Sequence, residues 1–122
     1  MACRGIRGAI SVKTNSVEAI LAATCELLES IKAANDLAVE DIASIVFTAT
    51  PDLDQVAPAR AAREIGWVNT PLLCMQEMPV PGSLPRCIRV LLHWNTDRPA
   101  VQVRHVYLGQ ARVLRPDLVT DP

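Results

Sequence analysis

The chain has 122 residues, 50% of them apolar and 20% charged, with a formal net charge of −1. That length supports one domain, residues 1–122, able to bury roughly two thirds of its extended-chain surface. So balanced a charge leaves no electrostatic footprint for nucleic acid or for an acidic membrane surface.

In chain order, CRGIRGAISV (3–12) reads as a first strand by its alternation, with Ile6 on one face and Arg7 on the other. A long helix follows. Asn15, with Glu18 three residues on, predicts a capping-box start, and Val17, Ile20, Leu21, Thr24, Leu27, Leu28 and Ile31 repeat at helical spacing. Asn35 suits a left-handed stop. IASIVFTAT (42–50) is a second, largely buried strand, ended by Pro51. The segment DLDQVAPARAAREIG (52–66) predicts a loop into a short helix, with Pro58 fitted to its first position and Gly66 to its stop.

PLLCMQEM (71–78) is a third strand, PVPGSLP (79–85) a turn, RCIRVLLHWN (86–95) a fourth strand and AVQVRHVYL (100–108) a fifth. The tail ARVLRPDLVTDP (111–122) reads as irregular, with Pro116 blocking regular structure. The fold class is therefore α+β: a five-stranded sheet, which the resemblance given below implies is mixed, with one long helix and one short helix. The helix covers one sheet face. The other face is also apolar at many positions, which predicts a partner subunit.

Composition supports this. The only aromatics are Phe47, Trp67, Trp94 and Tyr107, so the core is aliphatic and larger than a small monomer readily hides. Ten of the twelve basic residues are Arg, with Lys13 and Lys32 the exceptions. Codon bias in a GC-rich genome accounts for such an excess as well as a need for planar forks that grip carboxylate or phosphate. Cys3, Cys25, Cys74 and Cys87 form no CxxC and no Cys/His ligand spacing, so no metal is expected and the thiols read as reduced. The N-terminus carries Arg4 and Arg7 without the apolar core of a signal peptide, and no run approaches ~18 apolar residues; a cytoplasmic protein with no membrane partner is expected.

Two apolar strands are each interrupted by one ion, Glu77 in the third and Arg89 in the fourth. Burying an ionised side chain costs several kcal/mol unless it is paired or serves a ligand. Mutual pairing and a shared task are both open on these grounds.

The segments RGIRGA (4–9), TATPDL (48–53), PA.A.RE (58–64), CMQEM (74–78), CIRV (87–90), RHVYL (104–108) and VLRPDL (113–118) together resemble the AroH-class chorismate mutases, the small trimeric type. They run in order over nearly the whole chain. The resemblance implies a homotrimer forming a pseudo-α/β-barrel, with active sites in clefts between subunits, and a cofactor-independent conversion of chorismate to prephenate. It implies that Arg89 donates to the substrate's ether oxygen, that Glu77 accepts from the ring hydroxyl, that Arg7 holds a carboxylate and that Tyr107 contacts the side-chain carboxylate. Leu73, Cys74, Met75 and Gln76 would line one wall, Cys74 through its backbone, since positions 74 and 77 of a strand face opposite ways. Ala57, Ala59, Arg60, Arg63, Leu114 and Arg115 would close the site or supply positive potential.

Two positions depart from the family's habit: Ala57 stands where an aromatic is frequent, and Arg60 where a lysine is usual. The tail beyond Asp117 is short for a closing segment. His93 and His105 read as structural, because the chemistry has no proton to shuttle, and Cys25 and Cys87 read as small core residues. A trimeric carboxylate-binding protein without catalysis is the main alternative. A trimeric imine or enamine deaminase, which also grips a carboxylate with Arg, is another, though CMQEM and VLRPDL give it no support.

Overall fold

The long helix takes its place from one stripe of side chains. In the computed structural model, which describes residues 1–115, α1 (Val17–Asn35) buries Ile20, Thr24, Leu27, Leu28 and Ile31. These meet the inward residues of a five-stranded sheet, among them Ile6, Phe47, Ile88, Val90 and Leu92. Each large aliphatic side chain removed from water there contributes about 2 kcal/mol.

The strands are β1 (Ala2–Ser11), β2 (Ile42–Ala49), β3 (Leu72–Gln76), β4 (Cys87–Thr96) and β5 (Val106–Leu108), and a short helix, α2 (Ala59–Glu64), joins β2 to β3. Their order across the sheet is β3-β2-β4-β1-β5. β4 pairs antiparallel with β1 and β2, whereas β5 runs parallel to β1 and β3 parallel to β2. The sheet is mixed, as the family resemblance implies.

Helix and sheet approach closely at Gly8. A Cβ there would lie 2.8 Å from Ile31 Cδ1 and 3.0 Å from Val90 Cγ1, so RGIRGA needs a residue without a side chain at that point.

The structure corrects several local expectations. Ser16, not Asn15, caps α1: its side chain accepts from the Ala19 N–H at 3.1 Å. Asn15 instead ties the loop after β2, donating to Asp54 Oδ1 at 2.8 Å and accepting from the Asp54 N–H at 3.1 Å. The left-handed stop falls on Asp36 (φ 49°), one residue later than predicted. Asn35 is the last helical residue and is fully buried.

That Asn35 also explains why the fifth strand is much shorter than the alternation of AVQVRHVYL suggests. Its amide donates to the Arg104 carbonyl at 2.9 Å and accepts from the Arg104 N–H at 2.8 Å. The backbone of Arg104 thus finds its partners on a helix end rather than on a neighbouring strand. Upstream, Ala100–Gln102 form a 3-10 turn after Pro99. The start of the tail is regular too, with a 3-10 turn over Gly109–Val113. The predicted break at Pro116 and any closure by the tail beyond Asp117 lie outside the described residues.

The second sheet face differs from the first. At one end Ala9, Cys87, Tyr107 and Ala111 form a small buried cluster, with Leu84 and Leu114 packed against it. Elsewhere Leu73, Met75 and Leu91 are 56%, 49% and 40% exposed on that face. Large apolar side chains in such a row are the surface an oligomer covers.

Candidate active site

The register of the strands brings distant residues into rows. Met75 pairs with Thr48, Thr48 with Arg89, Arg89 with Ala9, and Ala9 with Tyr107, so one row crosses all five strands on the second face. The adjacent row holds Leu73, Val46, Leu91 and Arg7. Glu77 follows β3 by one residue, and its N–H bonds the Ala49 carbonyl at 2.8 Å, continuing the ladder. Being two residues past Met75, Glu77 faces the same way. These rows frame a cavity of about 450 Å³ lined by Arg7, Thr48, Glu77, Arg89, Leu91 and Tyr107, with Gly8, Val46 and Val90.

Glu77 is held from two sides. Thr48 Oγ1 donates to Glu77 Oε1 at 2.7 Å, and Arg89 Nε lies 3.5 Å from the same oxygen. The Arg89 Nε–H is buried and makes no hydrogen bond, although the side chain as a whole remains 39% exposed. Arg7 has no carboxylate within ion-pair distance among the described residues. Among the described residues two guanidiniums and one carboxylate line the cavity, an excess of one positive charge. The two readings of Glu77 and Arg89 therefore meet: they attract each other, and both open onto a cavity.

The start of β4 is anchored by TATPDL. Asp52 accepts the Arg86 N–H with both oxygens (3.2 and 3.0 Å), the Thr50 hydroxyl donates to Asp52, and the Cys87 N–H donates to Thr50 Oγ1 at 3.0 Å. Arg86 itself is left-handed (φ 45°), so this side-chain grip stabilises a backbone shape that non-glycine residues disfavour. Arg89 projects three residues beyond the anchor. Burial pushes the Cys87 thiol above its ordinary pKa; the Arg89 guanidinium opposes this without cancelling it. Cys87 stays a neutral thiol at physiological pH.

Behind Arg7 stands His105, whose Nδ1 accepts the Arg7 backbone N–H at 2.9 Å. Its pKa is pushed down, first by burial and then by the charges of Arg7 and Arg115. His93 Nδ1 shares a hydrogen bond with Ser44 Oγ at 3.0 Å, further along the same face.

The remaining predicted residues do not line this cavity in the single chain. Ala57, Cys74, Met75 and Gln76 border a separate recess of about 300 Å³, together with Ala49 and Thr50. Leu73 stands exposed on the sheet face and Ala59 is buried at the start of α2. Arg60 and Arg63 are exposed on α2, with Arg60 Nε 3.1 Å from Glu64 Oε1. Leu114 packs on the Tyr107 cluster, and Arg115 acts on His105. Of VLRPDL, Pro116 to Leu118 lie outside the described residues. The sequence reading missed Thr48, Thr50 and Asp52, although hydroxyls two apart before Pro-Asp signal side chains that bind backbone. Among the described residues no group of three or more His, Cys, Asp or Glu could hold a metal ion.

Comparison with known proteins gives a consistent result. The family described as chorismate mutase type I matches residues 3–118. The chain is 56% identical over 116 residues to a chorismate mutase AroH of Thermus thermophilus, covering 94% of this chain and 95% of that protein. It is 50% identical over 119 residues to a chorismate mutase AroH of Bacillus subtilis (strain 168), covering 97% and 94%. A solved chorismate mutase from Clostridium thermocellum superposes with a TM-score of 0.88 at 50% identity, covering 89% of this chain and 97% of that one.

Proposed function

The chain belongs to the chorismate mutase type I family, and from that membership we propose that it is an isomerase converting chorismate to prephenate on the route to Phe and Tyr. The reaction is an intramolecular [3,3] rearrangement. The ether C–O bond breaks ahead of C–C formation, so negative charge gathers on the enolpyruvyl fragment and positive charge on the ring. Electrons move within one molecule and no proton is transferred. Two kinds of help remain: holding the flexible substrate in a chair-like shape, and fixed charge placed where charge develops.

The observation that carries this reading is the guanidinium of Arg89. It lines the cavity beside Glu77, 3.5 Å from Nε to Oε1, with the side chain 39% exposed. In the proposed complex it donates to the ether oxygen, a contribution of about 3–4 kcal/mol in the transition state. Glu77 accepts from the ring hydroxyl and lies near the ring's growing positive charge, while Arg7 and Tyr107 grip the carboxylates. A dianionic substrate suits a cavity with two guanidiniums and one carboxylate.

The working unit is a homotrimer with sites between subunits, and two features support this. Leu73, Met75 and Leu91 form an apolar, exposed patch on the second sheet face. The family's substrate-binding positions also divide between two places on one chain, the main cavity and the recess bordered by Ala57, Cys74, Met75 and Gln76. Apposing one chain's cavity to its neighbour's recess unites them, with Arg60 and Arg63 of α2 at the rim. A cytoplasmic location belongs to the same reading; no helix among the described residues is long and apolar enough to cross a membrane.

A crystal soaked with a bicyclic transition-state mimic tests the assignment. The expected result is the Arg89 guanidinium within hydrogen-bond distance of the mimic's bridging oxygen, in a cleft between two subunits. Replacing Arg89 by citrulline, of the same shape without the charge, is expected to abolish most turnover. Tight prephenate binding in calorimetry, with no loss of chorismate absorbance, would instead support a binding protein.

A further inference from the structure

The shortest strand of the sheet carries one of the substrate-gripping residues. β5 spans three residues at the sheet's edge and pairs with β1 through Gly8–Val106, Ala9–Tyr107 and Ile10–Leu108. A three-residue parallel pairing is a weak hold. Just before it begins, the Arg7 N–H points not to a strand carbonyl but to His105 Nδ1, at 2.9 Å. A ring nitrogen thus replaces the next rung of the ladder. It joins Arg7 to the neighbouring strand that holds Tyr107, and both residues line the cavity.

That rung depends on the ring's charge. An imidazole nitrogen accepts only while it lacks a proton, so this bond places the ring's single proton on Nε2. Protonating Nδ1 turns the acceptor into a donor that faces another donor. The surroundings favour the neutral ring. His105 is half-buried, and Arg7 on β1 and Arg115 beyond the 3-10 turn set positive charge against its ring. Burial and these two cations all lower its pKa.

We propose that neutral His105 is a positioning residue for Arg7 and Tyr107, and that its protonation loosens the β1–β5 edge and weakens substrate binding on the acid side. The inference rests on the chorismate mutase reading, because Arg7 and Tyr107 are substrate-gripping residues only within it. Nothing in it requires His105 to touch the substrate. Its signature therefore falls on KM more than on kcat, and in a direction opposite to simple electrostatics: an added positive charge alone would tighten the hold on a dianion.

Three chains decide it: the parent, His105→Asn and His105→Leu. An Asn side-chain oxygen sits close to the place of Nδ1, accepts a hydrogen bond and does not titrate. KM for chorismate is measured from pH 8 to pH 5, with far-UV circular dichroism to establish that each chain is folded. The ring of His105 and the backbone amide of Arg7 are followed by NMR in the parent. The expected outcome is a KM in the parent that rises about tenfold as the ring takes its proton, with a smaller change in kcat. His105→Asn is expected to hold its KM level over the same range, and His105→Leu to show the raised KM at every pH. The Arg7 amide shift is expected to move with the ring's titration. An Asn variant that keeps the acid rise, a parent KM that falls instead, or an Arg7 amide indifferent to the ring would each overturn the inference. A parent inactive at pH 7.5 would defeat the catalytic reading instead, and the amide titration would still decide whether the ring holds β1. If the Leu variant does not fold, the Asn variant and the amide titration carry the decision.

Discussion

Arg89 and Glu77 stand 3.5 Å apart, Nε to Oε1, and form no hydrogen bond. The separation is long for a charge-assisted bond, which favours about 2.7–2.9 Å. Glu77 instead takes its short hydrogen bond from Thr48. The carboxylate thus steadies the guanidinium electrostatically without saturating it, and the positive group stays available to an oxygen in the cavity.

Removing that group tests its share of the barrier. Arg89→Ala is expected to lower kcat by about 10³, the loss typical of one preorganised donor to a developing oxyanion. Arg89→Lys is expected to remain far below the parent, because an ammonium lacks the rigid fork. The loss of chorismate absorbance at saturating substrate measures both. Thermal unfolding should leave the two variants close to the parent, since Arg89 lies on the cavity wall. An alanine variant within a factor of ten of the parent rate would place the charge elsewhere.

Thr48 was not among the residues the sequence singled out, yet its hydroxyl orients Glu77. Thr48→Val keeps the shape and removes the donor, so kcat/KM is expected to fall about tenfold, the worth of one hydrogen bond to a charged group. The effect should travel through Glu77. In a Glu77→Gln background, the same substitution is therefore expected to cost less than threefold. Equal losses in the two backgrounds would mean that Thr48 acts on something other than the carboxylate.

How far the sequence was legible depended on the range of the interaction. The stripe Ile20, Leu27, Leu28 and Ile31 marks α1 because helical periodicity is local, and PVPGSLP marks its turn for the same reason. Glu77 and Arg89 stood out as lone charges in apolar runs, and the structure brings them to one cavity. The limits of β5 were not legible: they depend on Asn35, 69 residues before Arg104, taking that residue's backbone bonds. The cap of α1 was misplaced by one residue because Asn15 and Ser16 are both good caps, and the contact that claims Asn15 comes from Asp54. Arg60, Arg63 and Ala57 illustrate a third kind of limit. The family resemblance places them at the site, but the single chain leaves them outside the cavity, which is what an intersubunit site would require.

Gly8 offers a test of packing that is independent of catalysis. Gly8→Ala would place a Cβ 2.8 Å from Ile31 Cδ1, and such overpacking typically costs about 1–3 kcal/mol. A lower urea midpoint is expected. Ile31→Val removes the obstructing atom, so the double variant should be more stable than the sum of the two single losses. Strict additivity would show that the clash lies with the other neighbours, Val90 Cγ1 at 3.0 Å or Leu27 Cδ1 at 3.2 Å.

Cys87 predicts the alkaline edge of stability. Its thiol is buried, and burial holds its pKa above the ordinary value of 9.0, with Arg89 partly opposing the shift. A group whose pKa is higher folded than unfolded stabilises the fold fully below the unfolded value, and loses that contribution as pH rises through the folded value. Urea midpoints of the parent should therefore decline as pH climbs past about 9. Cys25 is shifted in the same direction but is less buried, so it adds to the slope. Cys87→Ala is expected to lower the midpoint at pH 7, through the lost packing against Ala9 and Tyr107, and to flatten the decline above pH 9. If the slope persists unchanged in that variant, ionisation of the buried thiol is not what limits the fold in alkali.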